Sequence, residues 1–252
     1  MTRPELGVGF RLAVTVLRPF LTAVTRRDWQ GGEHLPAAGG VLVCSNHISH
    51  FDPLTLAHFI YENGRNPRFL AKSSLFSAPL IGPVLKGAGQ IPVYRESADA
   101  AQALSAAITA VGEGHCVALY PEGTLTHDAD LWPMSGKTGA ARIALTTGAP
   151  VIPVAQWGPH RILPPGARFP RLLPRRTTRV VAGPPVDLSA FIGREIDADL
   201  LRNVTEAIMA SITSLLAPVR REVAPTVRTQ RLKTVRAAID NRRGNPNNRA
   251  SW

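Results

Sequence analysis

Val41-Leu42-Val43-Cys44-Ser45-Asn46-His47-Ile48-Ser49-His50-Phe51-Asp52-Pro53 is the stretch on which the fold turns. Its first four residues are apolar without alternation, the pattern of a strand buried on both faces inside a parallel sheet. Asp52, a possible cap, and Pro53, suited to a first helical position, then open a helix reaching about Tyr61. Strand, tight polar loop and helix follow one another here within about twenty residues, the first half of a strand-helix-strand unit.

Outward from this stretch the pattern repeats. Phe69-Leu70-Ala71, Gly89 to Tyr94, Val117 to Tyr120, Val151 to Val154 and Arg179 to Ala182 read as further strands. Between them, Ala98 to Val111 and Gly136 to Thr147 read as helices, the second stopped by Gly148. Asp199 to Leu216 reads as a closing helix, and the Pro- and Arg-rich run from Pro159 to Pro185 as a long surface loop. Strands alternating with helices imply an α/β fold with a largely parallel sheet flanked by helices. Three segments are expected: residues 1–30, a globular domain over 31–217, and a basic tail over 218–252 that is partly disordered.

The N-terminal segment sorts as an amphipathic helix. Leu6, Phe10, Ala13, Leu17, Leu21 and Val24 share one face; Arg11, Thr15, Arg18, Thr22 and Thr25 line another. That pattern fits a membrane-interface helix as well as one packed on the domain. Arg11, Arg18 and Pro19 interrupt the run Leu6 to Val24, so no membrane span is expected, and no signal peptide is visible.

The chain of 252 residues is 44% hydrophobic, enough for a packed core and too much for a disordered chain. Its two cysteines, Cys44 and Cys116, fit neither a metal site nor a disulfide framework, which points to a reducing compartment. The net charge of +11 asks for an anionic partner. From Val219 onward nine Lys or Arg face only Glu222 and Asp240, so the tail carries +7 of that charge. Trp252 is its only aromatic, too few for base stacking, so nucleic-acid binding is the remoter alternative.

The chemistry concentrates on one expected edge. His47 follows a buried strand, where open α/β sheets place their ligands. Asp52 stands five residues on, within reach of the imidazole in a tight turn, so as to fix its tautomer and stabilise its charged form. Tyr120-Pro121-Glu122-Gly123-Thr124 follows another buried strand and should reach the same edge, with a glycine that lets backbone approach a ligand and a hydroxyl at Thr124. Gly89 to Arg95 ends in an arginine suited to clamping a phosphate. Each of these has a plain structural reading: a helix cap, a strand-ending turn, a solvated arginine. No Gly-x-Ser-x-Gly elbow is present to make the chain an ester hydrolase.

In this order the elements resemble the lysophosphatidic acid acyltransferases, the bacterial branch of the glycerolipid acyltransferases. Asn46-His47 through Asp52 is similar to the family's Asn-His-x-x-x-x-Asp block, and Gly89 to Arg95 to its second. Tyr120 to Thr124 is similar to Phe-Pro-Glu-Gly-Thr, and Val151 to Val154 to the final block; Lys72 and Pro79 stand where the family has a lysine and a proline. The resemblance runs from about Gly31 to Leu188. It implies His47 as general base with Asp52 orienting it. Arg95 and Lys72 would hold the acceptor's phosphate, and Glu122, Gly123 and Thr124 would shape the glycerol site. It further implies no cofactor, with acyl-CoA or acyl carrier protein as co-substrate, and phosphatidic acid as product. Lipid acceptor, acyl thioester and the cytoplasmic face of the cell membrane would be its partners. The alternative acceptors are glycerol-3-phosphate or another lysophospholipid or glycolipid. One departure bears on the acceptor: the family's third block continues Gly-Thr-Arg-Ser, and this chain has Leu125 at the arginine's place. Arg95, Lys72, Lys137 and Arg142 are the candidates to replace it.

Overall fold

A computed structural model describes residues 8–79, 81–93 and 97–225. The order of elements is α1 (Val8–Val24), β1 (Thr25–Gln30), β2 (Val41–Ser45), α2 (Asp52–Glu62), β3 (Pro67–Lys72), α3 (Ile81–Gly87), β4 (Ile91–Val93), α4 (Ser97–Gly112), β5 (Cys116–Leu119), α5 (Gly139–Thr147), β6 (Val151–Trp157), α6 (Pro159–Ile162), β7 (Arg176–Ala182) and α7 (Ala198–Arg220). The strands form one sheet in the order β1-β7-β6-β2-β5-β3-β4. All neighbours run parallel except β6 and β7.

β2 lies at the centre and its five residues are all buried. Leu42 and Cys44 join Val117, Leu119 and Val151 on one face, under residues of α4, α5 and α7. Val41 and Val43 point the other way, to Leu56, Phe59 and Ile60 of α2. A strand covered on both sides has no polar face, which is why the run reads as unbroken apolar sequence.

Sequence and structure part at several places, and the short helix α3 was not expected. Thr25-Arg26-Arg27-Asp28-Trp29-Gln30 was not expected as a strand, and the expected N-terminal segment reaches residue 30; in the structure the sheet already begins at Thr25. β1 has no apolar run because it is an edge strand, held by its parallel pairing to β7 and by an Asp28–Arg179 ion pair at 2.9 Å. The expected surface loop from Pro159 to Pro185 contains the short α6 and all of β7, so the irregular part is confined to 163–175. α5 starts three residues later than expected, because the Lys137 amide is bonded to the Pro121 carbonyl instead of entering the helix. α7 runs on to Arg220, past the expected tail boundary. Its start is capped by Asp197, whose carboxylate accepts the Leu200 amide at 2.7 Å. The remainder of the expected tail, 226–252, lies outside the described residues, as do Leu6 and Arg95.

α1 is secured to the domain. Arg18 makes a two-pronged contact with Glu62 of α2, at 2.6 and 3.3 Å. Leu21 is buried against Phe51 and Ile162. Thr25, expected on the polar face, is buried and donates its hydroxyl to the Leu21 carbonyl. Val16, Leu17 and Phe20 stay exposed. Among the described residues no helix is long and apolar enough to cross a membrane.

Candidate active site

Because β2 and β5 are parallel neighbours, the loops leaving their C-terminal ends emerge side by side. One carries His47, the other Tyr120 to Thr124. Nδ1 of His47 lies 2.9 Å from Oδ2 of Asp52. That same oxygen accepts the amides of Ile48 at 2.6 Å and Ser49 at 2.8 Å. Asp52 therefore does not cap α2, the plain reading of an Asp before Pro; as first residue of the helix it reaches back and closes the loop on itself. Its carboxyl is fully buried, which raises its pKa, and the bonds from His47, Ser49 and Ile48 act in the opposite direction. With a carboxylate at Nδ1, the Nδ1–H tautomer is the stable one and Nε2 keeps its lone pair.

The imidazole is also fixed in plane and in height. The ring of Tyr120 stacks on it at 4.0 Å with 15° between planes. Glu122, buried, accepts the His47 amide at 3.0 Å with one oxygen and the Met134 amide at 2.9 Å with the other. The Thr126 amide bonds to the His47 carbonyl at 2.7 Å. Glu122 thus ties the two loops together from beneath, and burial pushes its carboxyl up to about 8. Asn46 extends the ladder between β2 and β6 through its side chain, donating to the Gln156 carbonyl at 3.0 Å and accepting the Gln156 amide at 2.7 Å.

The structure brings His47, Asp52 and Glu122 into one bonded cluster. Gly123 and Thr124 lie exposed on the turn beside it. Gly123 has φ +71°, and a Cβ there would stand 3.0 Å from Cε and Nζ of Lys137, so the lysine side chain lies across the glycine. Of the candidate replacements for the missing arginine, Lys137 is the one in contact with this turn. Lys72 ends β3 on the same sheet edge and is exposed, Arg142 is exposed on α5, and Arg95 lies outside the described residues. Cys44, close in sequence, is fully buried with its thiol pushed up by burial, and Cys116 is pushed up to about 12. Neither is a nucleophile at neutral pH.

Sequence reasoning assigned no role to Tyr120 as a stacking partner, to Gln156 or to Ser49. Gln156 carried a visible signal, a lone amide at the end of an apolar strand. Ser49, whose hydroxyl donates to the Leu163 carbonyl at 2.7 Å, had none, since its partner lies 114 residues away.

The model of the Acyltransferase family matches residues 26–157, which hold both loops and the central strands. The chain belongs to the Acyltransferase family. It is 32% identical over 163 residues to a chloroplastic 1-acyl-sn-glycerol-3-phosphate acyltransferase of Brassica napus, covering 64% of this chain and 45% of that one. The 1-acyl-sn-glycerol-3-phosphate acyltransferases of Borreliella burgdorferi and Bacillus subtilis are 36% and 32% identical, over 49% and 50% of this chain and 48% and 60% of theirs. The chain thus matches about half the length of these relatives. Its fold is that of the crystal structure of the 1-acyl-sn-glycerophosphate acyltransferase PlsC of Thermotoga maritima, with TM-score 0.62, 23% identity, and 81% and 78% of the two chains covered. The matched region ends with β6; β7 and α7 complete the sheet and cover it.

Proposed function

We propose that this acyltransferase-family protein moves a fatty acyl group from a thioester, acyl-CoA or acyl carrier protein, to the free hydroxyl of 1-acylglycerol-3-phosphate, giving phosphatidic acid. The observation that carries the reading is the His47–Asp52 couple, 2.9 Å apart with the carboxylate buried, on the sheet edge where the Glu122-Gly123-Thr124 turn also ends.

In the reaction, Nε2 of His47 takes the proton of the acceptor hydroxyl as its oxygen bonds to the thioester carbonyl carbon. The tetrahedral intermediate collapses, the carbon–sulfur bond breaks, and the leaving thiolate recovers the proton from Nε2. Asp52 stays a carboxylate and stabilises the imidazolium in between. No protein nucleophile is used, because the acceptor attacks directly. Lys137, lying over Gly123, supplies the positive charge for the acceptor's phosphate in place of the arginine that Leu125 displaces. Acceptor and product both reside in a bilayer, so the enzyme works at a membrane surface.

The test is acyl transfer by the purified protein from palmitoyl-CoA to lysophosphatidic acid, following thiol release and lipid product together. Phosphatidic acid formed by the wild type, with turnover lowered about 10²–10⁴-fold in His47→Ala and thermal melting unchanged, supports the reading. Near-normal turnover in His47→Ala refutes the base assignment. Thiol release without phosphatidic acid moves the acceptor to glycerol-3-phosphate or another lysolipid.

A further inference from the structure

The irregular segment 163–175, between α6 and β7, combines three properties that ordinary surface loops do not share. Phe169 and Leu173 are 77% and 81% exposed, exceeded among the large apolar side chains of the described residues only by Val223. Arg168, Arg171 and Arg175 are interleaved with them and exposed, and no carboxylate occurs between Pro159 and Val186. Pro164, Pro165, Pro170 and Pro174 restrict the backbone, so presenting those side chains costs little further ordering.

The segment is also fastened at both ends to the parts of the protein that matter. At one end the Leu163 carbonyl accepts the hydroxyl of Ser49, inside the His47–Asp52 loop. Leu163 and Leu172 pack with Phe51, Leu54, Ile162 and Leu21. Leu172 thus points into the protein while its neighbour Leu173 points out. At the other end Arg175 donates to the carbonyls of Thr22 and Thr25, both at 2.8 Å, clasping the end of α1. Leu17, exposed, lies one turn before Leu21 on the same stripe of α1, so that stripe leads onto the segment.

We infer that residues 163–175 are a membrane-insertion element, with Phe169 and Leu173 entering the apolar edge of an anionic bilayer while Arg168 and Arg171 engage lipid phosphates. Isolated exposed apolar side chains set among arginines match the layered chemistry of that interface, apolar below and anionic above. Each basic residue at such a surface is worth roughly fivefold in affinity. Through Ser49 and Phe51, docking of the element would hold the catalytic loop at the level of the lipid headgroups. The inference rests on the reading that the acceptor lies in a bilayer.

The experiment uses the full chain and sucrose-loaded vesicles of phosphatidylglycerol and phosphatidylcholine, without acyl donor, so that an inactive enzyme still reports. Phe169→Ser/Leu173→Ser should weaken co-sedimentation at least tenfold, and Arg168→Gln/Arg171→Gln should do so only on vesicles containing phosphatidylglycerol. Melting temperatures should not move, because the replaced side chains are exposed. Phe169→Trp should shift its emission to the blue on vesicle addition and be quenched by bromine-labelled acyl chains. Unchanged co-sedimentation of the serine variant, or Phe169→Trp emission that ignores vesicles, overturns the inference. So does intact vesicle binding with selective loss of transfer from acyl carrier protein, which would give the segment to that acidic partner. Normal vesicle binding in a protein that transfers no acyl group would sink the proposed reaction and leave this surface standing.

Discussion

Glu122 accepts a backbone amide with each oxygen, one from His47 and one from Met134. Glutamine offers one acceptor and one donor, so Glu122→Gln leaves a buried amide facing an N–H. The expected cost is about 1–3 kcal/mol of stability, with slower turnover as the His47 loop loosens; urea melts and initial rates check both. The wild type should also show a pH signature. Burial raises the Glu122 carboxyl from 4.5 to about 8. Below the lower value both folded and unfolded chains hold the proton, and its stabilising share is intact. As pH rises from there through about 8 the unfolded chain ionises first, so that share is lost. Melts across this window should fall in wild type and lose the slope in Glu122→Gln. At the neighbouring turn, Lys137→Ala should raise KM for a phosphorylated acceptor about tenfold or more, with kcat little changed. A neutral monoacylglycerol acceptor should show no such change. An unaltered KM would place the phosphate elsewhere on the edge, with Lys72 next to be tested.

Among the elements, α7 shows how the far side of the fold supports the site. Near its end Arg220 is sandwiched between Trp132 and Trp157, 4.1 and 4.4 Å from the ring centres, and donates to the Asp130 carbonyl at 2.6 Å. Trp132 belongs to the loop that continues from Glu122, and its carbonyl accepts the Thr126 hydroxyl at 2.7 Å. The clasp therefore braces the loop whose Thr126 amide holds His47. Its side chain is 4% exposed, so Arg220→Ala loses desolvated contacts with two indoles, and a destabilisation of about 2–3 kcal/mol is expected in denaturant melts. Arg220→Lys should recover only part of it, since a compact ammonium cannot stack between two rings. α1 carries a similar lesson. Removing the helix through Thr25 would cut into β1 and take away Leu21, so its surface is better tested by replacing the exposed Val16 and Phe20.

For the whole molecule, the net charge of +11 predicts that association with anionic vesicles weakens steeply as salt rises from about 0.05 to 0.5 M, where screening shortens from over 10 Å to a few ångströms. Binding that ignores salt would make apolar insertion the sole attachment. What the sequence determined by itself was whatever is local or periodic. Val41 to Cys44 announced a strand buried on both faces because apolar residues at every position leave no other use for it. His47 and Asp52 could be paired from a spacing of five residues in one tight loop. What depended on long-range pairing was invisible to it. β1 exists as a strand because β7 returns beside it some 150 residues later, and no apolar pattern marks an edge. That Asp52 binds the loop behind it instead of capping the helix ahead was settled by the turn that packing imposes. Glu122 became the tie between two loops, and Lys137 came to lie over Gly123, only because β2 and β5 stand side by side in parallel. Such neighbours are set by the order of strands in the sheet, and strand order is a property of how the chain crosses over itself.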